Sequence, residues 1–181
     1  MYKRQGIETY GEDPYLTSRM GVMVVKGLQG TNDGKYDKLH ACAKHFAVHS
    51  GPEWNRHEFN AENIKPRDLY ETYLPPFEAL VKEGKVKEVM CAYNRFEGDP
   101  CCGSDRLLMQ ILRDEWGFEG VVMTDWWTFG EHCKEVNAGN DVKMAAGNPD
   151  NLLKALEKGL LKRETMECSV KRLLGVLLKI D

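Results

Sequence analysis

Three short apolar runs, LHACAKHFAV (39–48), VKEVMCAYN (86–94) and FEGVVMTDWW (118–127), most constrain what this chain can become. The first is nearly continuous in apolar character, the pattern of a strand covered on both faces, and the other two read as further short strands. Stretches with apolar residues at helical spacing lie between them. Strands alternating with helices in this way make repeated βα units around a parallel sheet, an α/β fold. The helical stretches carry their own punctuation. DPYLTSRMGVMVVKGLQG has Asp13 as cap, Pro14 in the first turn and a glycine stop. KPRDLYETYLPPFEALVKEG stops at Gly84 and should kink at Pro75 and Pro76, and GSDRLLMQILRDEWG runs from Ser104 as cap to Gly117. The tail predicts two helices divided near Gly159, one capped at Asn148 and one starting around Lys162, while AGNDVKM is a candidate fourth strand. Between Trp127 and Ala138 there is room only for an abbreviated helix, since about ten residues reach some 15 Å.

With 181 residues the chain is one domain or a piece of one. Its 25 basic and 28 acidic residues give a formal charge of -3, which offers no basic field to nucleic acid or an anionic membrane and suits a small neutral partner. No apolar run approaches the roughly 18 residues of a membrane span, and MYKRQGIETYGEDP has no apolar signal core. The six cysteines form no CxxC pair and no zinc-like Cys/His spacing, so no metal is expected. Cys42 and Cys91 read as ordinary buried small residues, and the neighbours Cys101 and Cys102 as free thiols in a loop.

Polar residues follow each apolar run: Lys44 and His45, then Tyr93 and Asn94, then Asp125, then Asp141. The carboxyl ends of parallel strands are where α/β folds build their sites. Asp125 has two readings, a structural cap or ion-pair partner and a fixed carboxylate that acts as nucleophile or base. Convergence of Lys44, His45 and Tyr93 on the same rim favours the second. Lys44 facing the carboxylate would lower its pKa, and Trp126 or Trp127 would supply an aromatic wall for a sugar ring. Lys44 as a Schiff-base amine of an isomerase or aldolase is a rival chemistry.

The stretch ILRDEWGFEGVVMTDWWT (111–128) resembles the active-site signature of glycoside hydrolase family 3: two aliphatics, a basic and an acidic residue, a glycine, an apolar strand, then Ser or Thr before Asp. ETYGEDPYLTSRMG (8–21), AKHFAVHSGPEWNRHEF (43–59), VMCAYNRFEGDPCCGSDRLL (89–108) and AGNDVKM (138–144) are similar to other blocks of that family, in the same order. All but residues 1–5 are covered. The resemblance implies a (β/α)8 TIM-type barrel, of which this chain is expected to be about the last four βα units. It implies a retaining exo-β-glycosidase that removes terminal β-linked glucose or xylose, with no metal or organic cofactor.

By that match Asp125 is the nucleophile, Lys44 and His45 hydrogen-bond sugar hydroxyls, Tyr93 sits beside the nucleophile, and Met90 and Trp126 line the sugar subsite. Arg56 and His57, in EWNRH, resemble the loop of the β-xylosidase and β-glucosidase members and are substrate-contact candidates; Glu53 is a minor acid/base candidate. The family's usual acid/base glutamate comes from a C-terminal α/β domain, and the first barrel half brings a further carboxylate. Both are expected partners outside this sequence, so the isolated chain is expected to have little or no activity. The N-acetylglucosaminidase branch is disfavoured because no Asp precedes Asp68 on the loop after KHF. A carbohydrate-binding barrel without catalysis is the other alternative. A periplasmic or extracellular parent is compatible with the resemblance, and the sequence itself does not fix the compartment.

Overall fold

A computed structural model describes residues 9–30, 36–145 and 147–180. The first helix, α1 (Pro14–Gln29), starts where Asp13 accepts the N–H groups of Tyr15 and Leu16 at 2.8 and 3.2 Å. β1 (Cys42–Phe46) is followed by a 3-10 turn at Glu53–Asn55, a two-residue strand β2 (Asn60–Ala61), and a helix, α2 (Pro66–Asp68), that widens into a π turn at Leu69–Tyr73. The expected proline break lies just after that turn. Pro75 opens α3 (Pro75–Lys82) as its first residue, where a missing N–H leaves no bond unmade.

β3 (Glu88–Cys91) leads into the short strands β4 (Arg95–Phe96) and β5 (Asp99–Pro100). The next helix, α4 (Arg106–Glu115), is π-type, with the Ser104 Oγ accepting the Leu107 N–H at 3.4 Å as expected of a cap. Gly117 ends it at φ +71°, a left-handed turn that a side chain would strain. β6 (Val121–Met123), the short α5 (His132–Asn137), α6 (Pro149–Glu157) and α7 (Arg163–Leu177) complete the order, so the abbreviated helix and the split tail appear as predicted.

β1, β3 and β6 form a parallel sheet in that order, with Cys42 opposite Glu88 and Glu88 opposite Val121. The candidate fourth strand reduces to a single parallel bridge between Val142 and Met123. One face of the sheet is packed. Ala43, Phe46, Val89, Cys91 and Val122 are buried against Leu69, Leu74 and Val81 on one side of the chain and Leu107, Leu108, Ile111 and Leu112 of α4 on the other. Phe46 meets Phe77 and Trp116 edge-on at 5.1 and 5.9 Å.

Of the alternate residues, Cys42, Lys44, Glu88, Met90 and Met123 are exposed or half-buried, whereas Val121 is buried. The expectation that the first strand is covered on both faces therefore fails within this chain, because Cys42 and Lys44, turned to its other face by the strand's period of two, are exposed. Cys42 is corrected with it: the thiol lies on the uncovered face and is exposed, whereas Cys91, Cys101 and Cys102 are buried and free.

Two features fix the strand ends. β2 pairs with β4, which joins the loop after β1 to the loop after β3 above the carboxyl ends of the sheet. At the other end, the Gln29 side chain donates to the Lys85 carbonyl at 3.0 Å and accepts from Lys87 N at 3.1 Å, tying α1 to the entry of β3. A buried ionic network holds β6. Arg113 donates to the Phe118, Gly120 and Gly139 carbonyls at 3.2, 3.2 and 3.0 Å and to Asp141 at 2.8 Å. Asp141 also accepts from Val122 N, the Ser169 hydroxyl and Arg172 at 2.9, 2.7 and 2.9 Å.

Asp141 was expected on the functional rim; its side chain is instead fully buried in this network, beside the middle of β6 rather than beyond its end. Asp141→Ala would leave Arg113 buried beside carbonyls without its counter-charge, which should cost about 3–5 kcal/mol of unfolding free energy. A loss of unfolding free energy below about 1 kcal/mol in urea titration would show that the network is not structural.

Candidate active site

The rim begins with Thr124, fully buried at the end of β6. Its N–H donates to the Val142 carbonyl and its hydroxyl accepts the Met144 N–H, both at 2.9 Å, so a hydroxyl-bearing residue at this place locks the segment 142–144 beside the strand. The next residue, Asp125, is only 6% exposed. One carboxylate oxygen accepts the Trp126 N–H at 2.7 Å, and the other lies 3.2 Å from His45 Nε2. Burial by itself would raise this carboxyl, but the hydrogen bonds from His45, from the Trp126 N–H and from the Tyr93 hydroxyl outweigh it and hold the group below the usual carboxylate range.

Asp125 is thus kept charged while largely shielded from water, which is what a nucleophile or a general base needs. The expected role of Lys44 in that lowering passes chiefly to His45. Lys44 stands behind it, with Nζ 3.5 Å from His45 Nε2, on the exposed face of β1.

The loop after β1 folds back over the same rim. Val48 at φ +57° makes the turn, a conformation rare for a β-branched residue and a mark of backbone strain at this corner. The His49 ring lies 5.2 Å from that of His45 and 6.3 Å from that of Tyr93. Burial and the nearby His45 hold its pKa below the ordinary histidine value. His57 stacks on Tyr93 at 4.3 Å, the Arg56 guanidinium lies over the Tyr93 ring at 4.8 Å, and Arg56 Nε donates to His57 Nε2 at 3.3 Å. Arg56 also pairs with Glu53 at 2.7 Å, which engages that carboxylate on an exposed part of the loop.

Of the residues singled out from the sequence, Asp125, His45, Tyr93, His57 and Arg56 come together through direct contacts. Lys44 joins them through His45. Trp126 contributes its N–H to Asp125 and projects a half-exposed ring 5.5 Å from that of Trp127. Met90 lies opposite Met123 on the uncovered face of the sheet.

Asn94, expected among the polar residues after the strands, supports the rim, whereas Phe129, Lys143 and Glu135 are supporting residues that the sequence pattern does not single out. Asn94 is buried and donates to the Ala47 and Arg95 carbonyls at 3.3 and 3.0 Å, with its oxygen 3.4 Å from His49 Nδ1. Phe129 lies 5.4 Å from His57. Lys143 bonds both oxygens of buried Glu135 at 2.7 Å. Among the described residues no group of three or more His, Cys, Asp or Glu side chains could hold a metal ion, and no helix is long and apolar enough to cross a membrane.

A shielded, charged aspartate at the carboxyl end of a parallel strand, beside histidine, tyrosine and exposed aromatics, puts the chain among α/β enzymes that work at their strand ends. The family is glycosyl hydrolase family 3: residues 2–176 match its N terminal domain, and the chain belongs to that family. It is 52% identical over 185 aligned residues to a xylan 1,4-beta-xylosidase of Xylanibacter ruminicola, covering 94% of this chain and 22% of that protein. With beta-glucosidase A of Butyrivibrio fibrisolvens the identity is 43%, covering 90% of this chain and 19% of the relative. The chain therefore spans about a fifth of the length of these curated relatives. Beta-glucosidase 3B of Thermotoga neapolitana, solved in complex with glucose, superposes with a TM-score of 0.86 at 35% identity, over 97% of this chain and 25% of that one.

Two pH effects follow. His49 has a folded pKa below its unfolded value, so the stability it supports is present above the ordinary histidine range and is lost as pH falls through the lowered value. His49→Gln should flatten the decline of Tm between about pH 7 and pH 5; an unchanged slope would assign the decline elsewhere. Asp125 has the same sign in the carboxylate range, and Tyr93→Phe should move its titration upward when followed by carboxyl 13C NMR.

Proposed function

We propose that this chain carries the nucleophile and part of the sugar subsite of a retaining exo-β-glycosidase acting on terminal β-linked glucose or xylose. The observation that carries the reading is the charged, shielded Asp125, held by His45, Tyr93 and its own following N–H at the carboxyl end of β6. Membership of glycosyl hydrolase family 3 and the likeness to proteins named as xylosidase and glucosidase support it.

In this reading an Asp125 oxygen attacks the anomeric carbon as the bond to the leaving oxygen breaks, and a separate acid protonates that oxygen. Water then cleaves the glycosyl ester, restoring Asp125 and giving retention at the anomeric centre. His45 and Lys44 hydrogen-bond hydroxyls of the bound sugar. Tyr93 keeps Asp125 charged until attack, and Arg56, His57, Met90 and Trp126 border the ring.

The three parallel strands with their helices form the closing part of a (β/α)8 barrel. The uncovered sheet face, with Lys44, Met90 and Met123, faces the barrel axis. The acid and the remaining strands belong to parts of the parent polypeptide beyond these residues. This division agrees with the small share of each relative that the chain covers.

The test uses 2-deoxy-2-fluoro β-glucosides and β-xylosides with a dinitrophenolate leaving group, which needs little protonation. Intact-mass analysis of the parent protein should show one added fluoroglycosyl group on Asp125, and the sugar that labels faster reports the specificity. Asp125→Asn should abolish labelling and lower turnover of activated aryl glycosides by about three orders of magnitude or more. Full turnover in that variant would sink the nucleophile assignment. Sugar binding without labelling would favour a carbohydrate-binding barrel.

A further inference from the structure

A buried ion pair holds the segment after the candidate nucleophile, 126–130, from the interior. Lys143 Nζ bonds both Glu135 oxygens at 2.7 Å, with side chains 9% and 1% exposed. The same ammonium donates to the Gly130 carbonyl at 2.8 Å and reaches the Thr128 carbonyl at 3.5 Å. A side chain at position 130 could not fit, since a Cβ there would lie 2.0 Å from Glu135 Oε1. Cys102 Sγ, 3.2 Å from the same oxygen, closes the arrangement on its inner side. The pair thus grips the backbone on both sides of Phe129.

Phe129 itself is 77% exposed, an unusual state for a large aromatic whose flanking carbonyls are both held from the interior. Its ring lies 5.4 Å from that of His57, and His57 in turn lies 4.3 Å from Tyr93, which bonds Asp125. Each step outward along this line is one ring-to-ring spacing. Phe129 is thus linked to Asp125 through two intervening rings and presents an exposed aromatic face at the rim of the site.

We infer that the Lys143–Glu135 pair is a positioning device that presents Phe129 as the wall for the leaving group, and that Phe129 selects glycosides whose leaving group offers a flat face, an aryl ring or a second sugar ring. The inference rests on the glycosidase reading of Asp125 and adds two positioning residues and one specificity-determining residue to it. The aromatic face gains nothing from a leaving group too small to stack. Glu135 and Lys143 touch no substrate and act only through the 128–130 backbone.

The experiment uses the parent protein and compares two covalent probes of the same 2-deoxy-2-fluoro sugar, one with a dinitrophenolate and one with a fluoride leaving group. In both, a bond forms between an Asp125 oxygen and the anomeric carbon as the bond to the leaving group breaks and phenolate or fluoride departs with the electron pair. Phe129→Ala should slow labelling by the aryl probe about fivefold or more and leave labelling by the fluoride unchanged. Lys143→Met should lower the same aryl-to-fluoride ratio, and Lys143→Arg should restore it in part, with circular dichroism reporting that each variant is folded. Where Lys143→Met does not fold, Phe129→Ala decides alone. An unchanged ratio in Phe129→Ala with a wild-type protein that labels would overturn the inference and leave the glycosidase reading standing. A wild-type protein labelled by neither probe would overturn both.

Discussion

Arg113 and Asp141 hold the strand that carries Asp125 from two directions. The guanidinium gathers the carbonyls at the entry to β6 and the Gly139 carbonyl, while the Asp141 carboxylate takes the Val122 N–H in the strand itself together with Ser169 and Arg172 from α7. β6 has only three residues, Val121–Met123, and so short a strand has few ladder bonds of its own. Buried charge supplies the fixity that length does not. The penalty for removing either charge from its partner is large in such an interior, which makes the geometry one of few that the chain can adopt.

The rim is built on that base by successive constraints. Thr124 locks 142–144 to the strand end, and Lys143 in that same segment then reaches Glu135 and the 128–130 backbone. From the other side, pairing of β2 with β4 and the buried Asn94 amide bring the loops after β1 and β3 together. Asp125 lies between these two systems. Its charge follows from donors that each belong to a different strand end: His45 in the last residues of β1, Tyr93 after β3, and the Trp126 N–H after β6. No one element makes the site, and displacement of any of the three strands would release a donor.

Much of this could be read in the residues. The three apolar runs gave the strands because they are short and alternate with helical stretches, and the caps at Asp13, Ser104 and Asn148 appear where a side-chain acceptor precedes a helical pattern. His45, Tyr93 and Asp125 were legible as a group since each stands at the end of a strand, and parallel strands end on one side. What failed has a common cause. Asp141, Lys143 and Glu135 are charged residues in a helix and strand-like segments, and nothing local tells whether such a group turns to the rim or into the interior; that depends on which partner the fold brings within reach. Cys42 and the second sheet face failed for a related reason, since an apolar run states that its residues can be covered, and what covers them is a matter of the neighbours present.

The sequence by itself determined the α/β order, the helix boundaries and the set of residue types at the strand ends, because those depend on periodicity and on bonds between residues a few positions apart. The tertiary structure alone decided that His45 rather than Lys44 is the main side-chain partner of Asp125, that Asp141 is a buried girder, and that Phe129 is held at the rim. Each of these depends on a distance of about 3 to 5 Å between residues far apart in the chain. Such distances are set by packing one strand against the next, and no local pattern contains them.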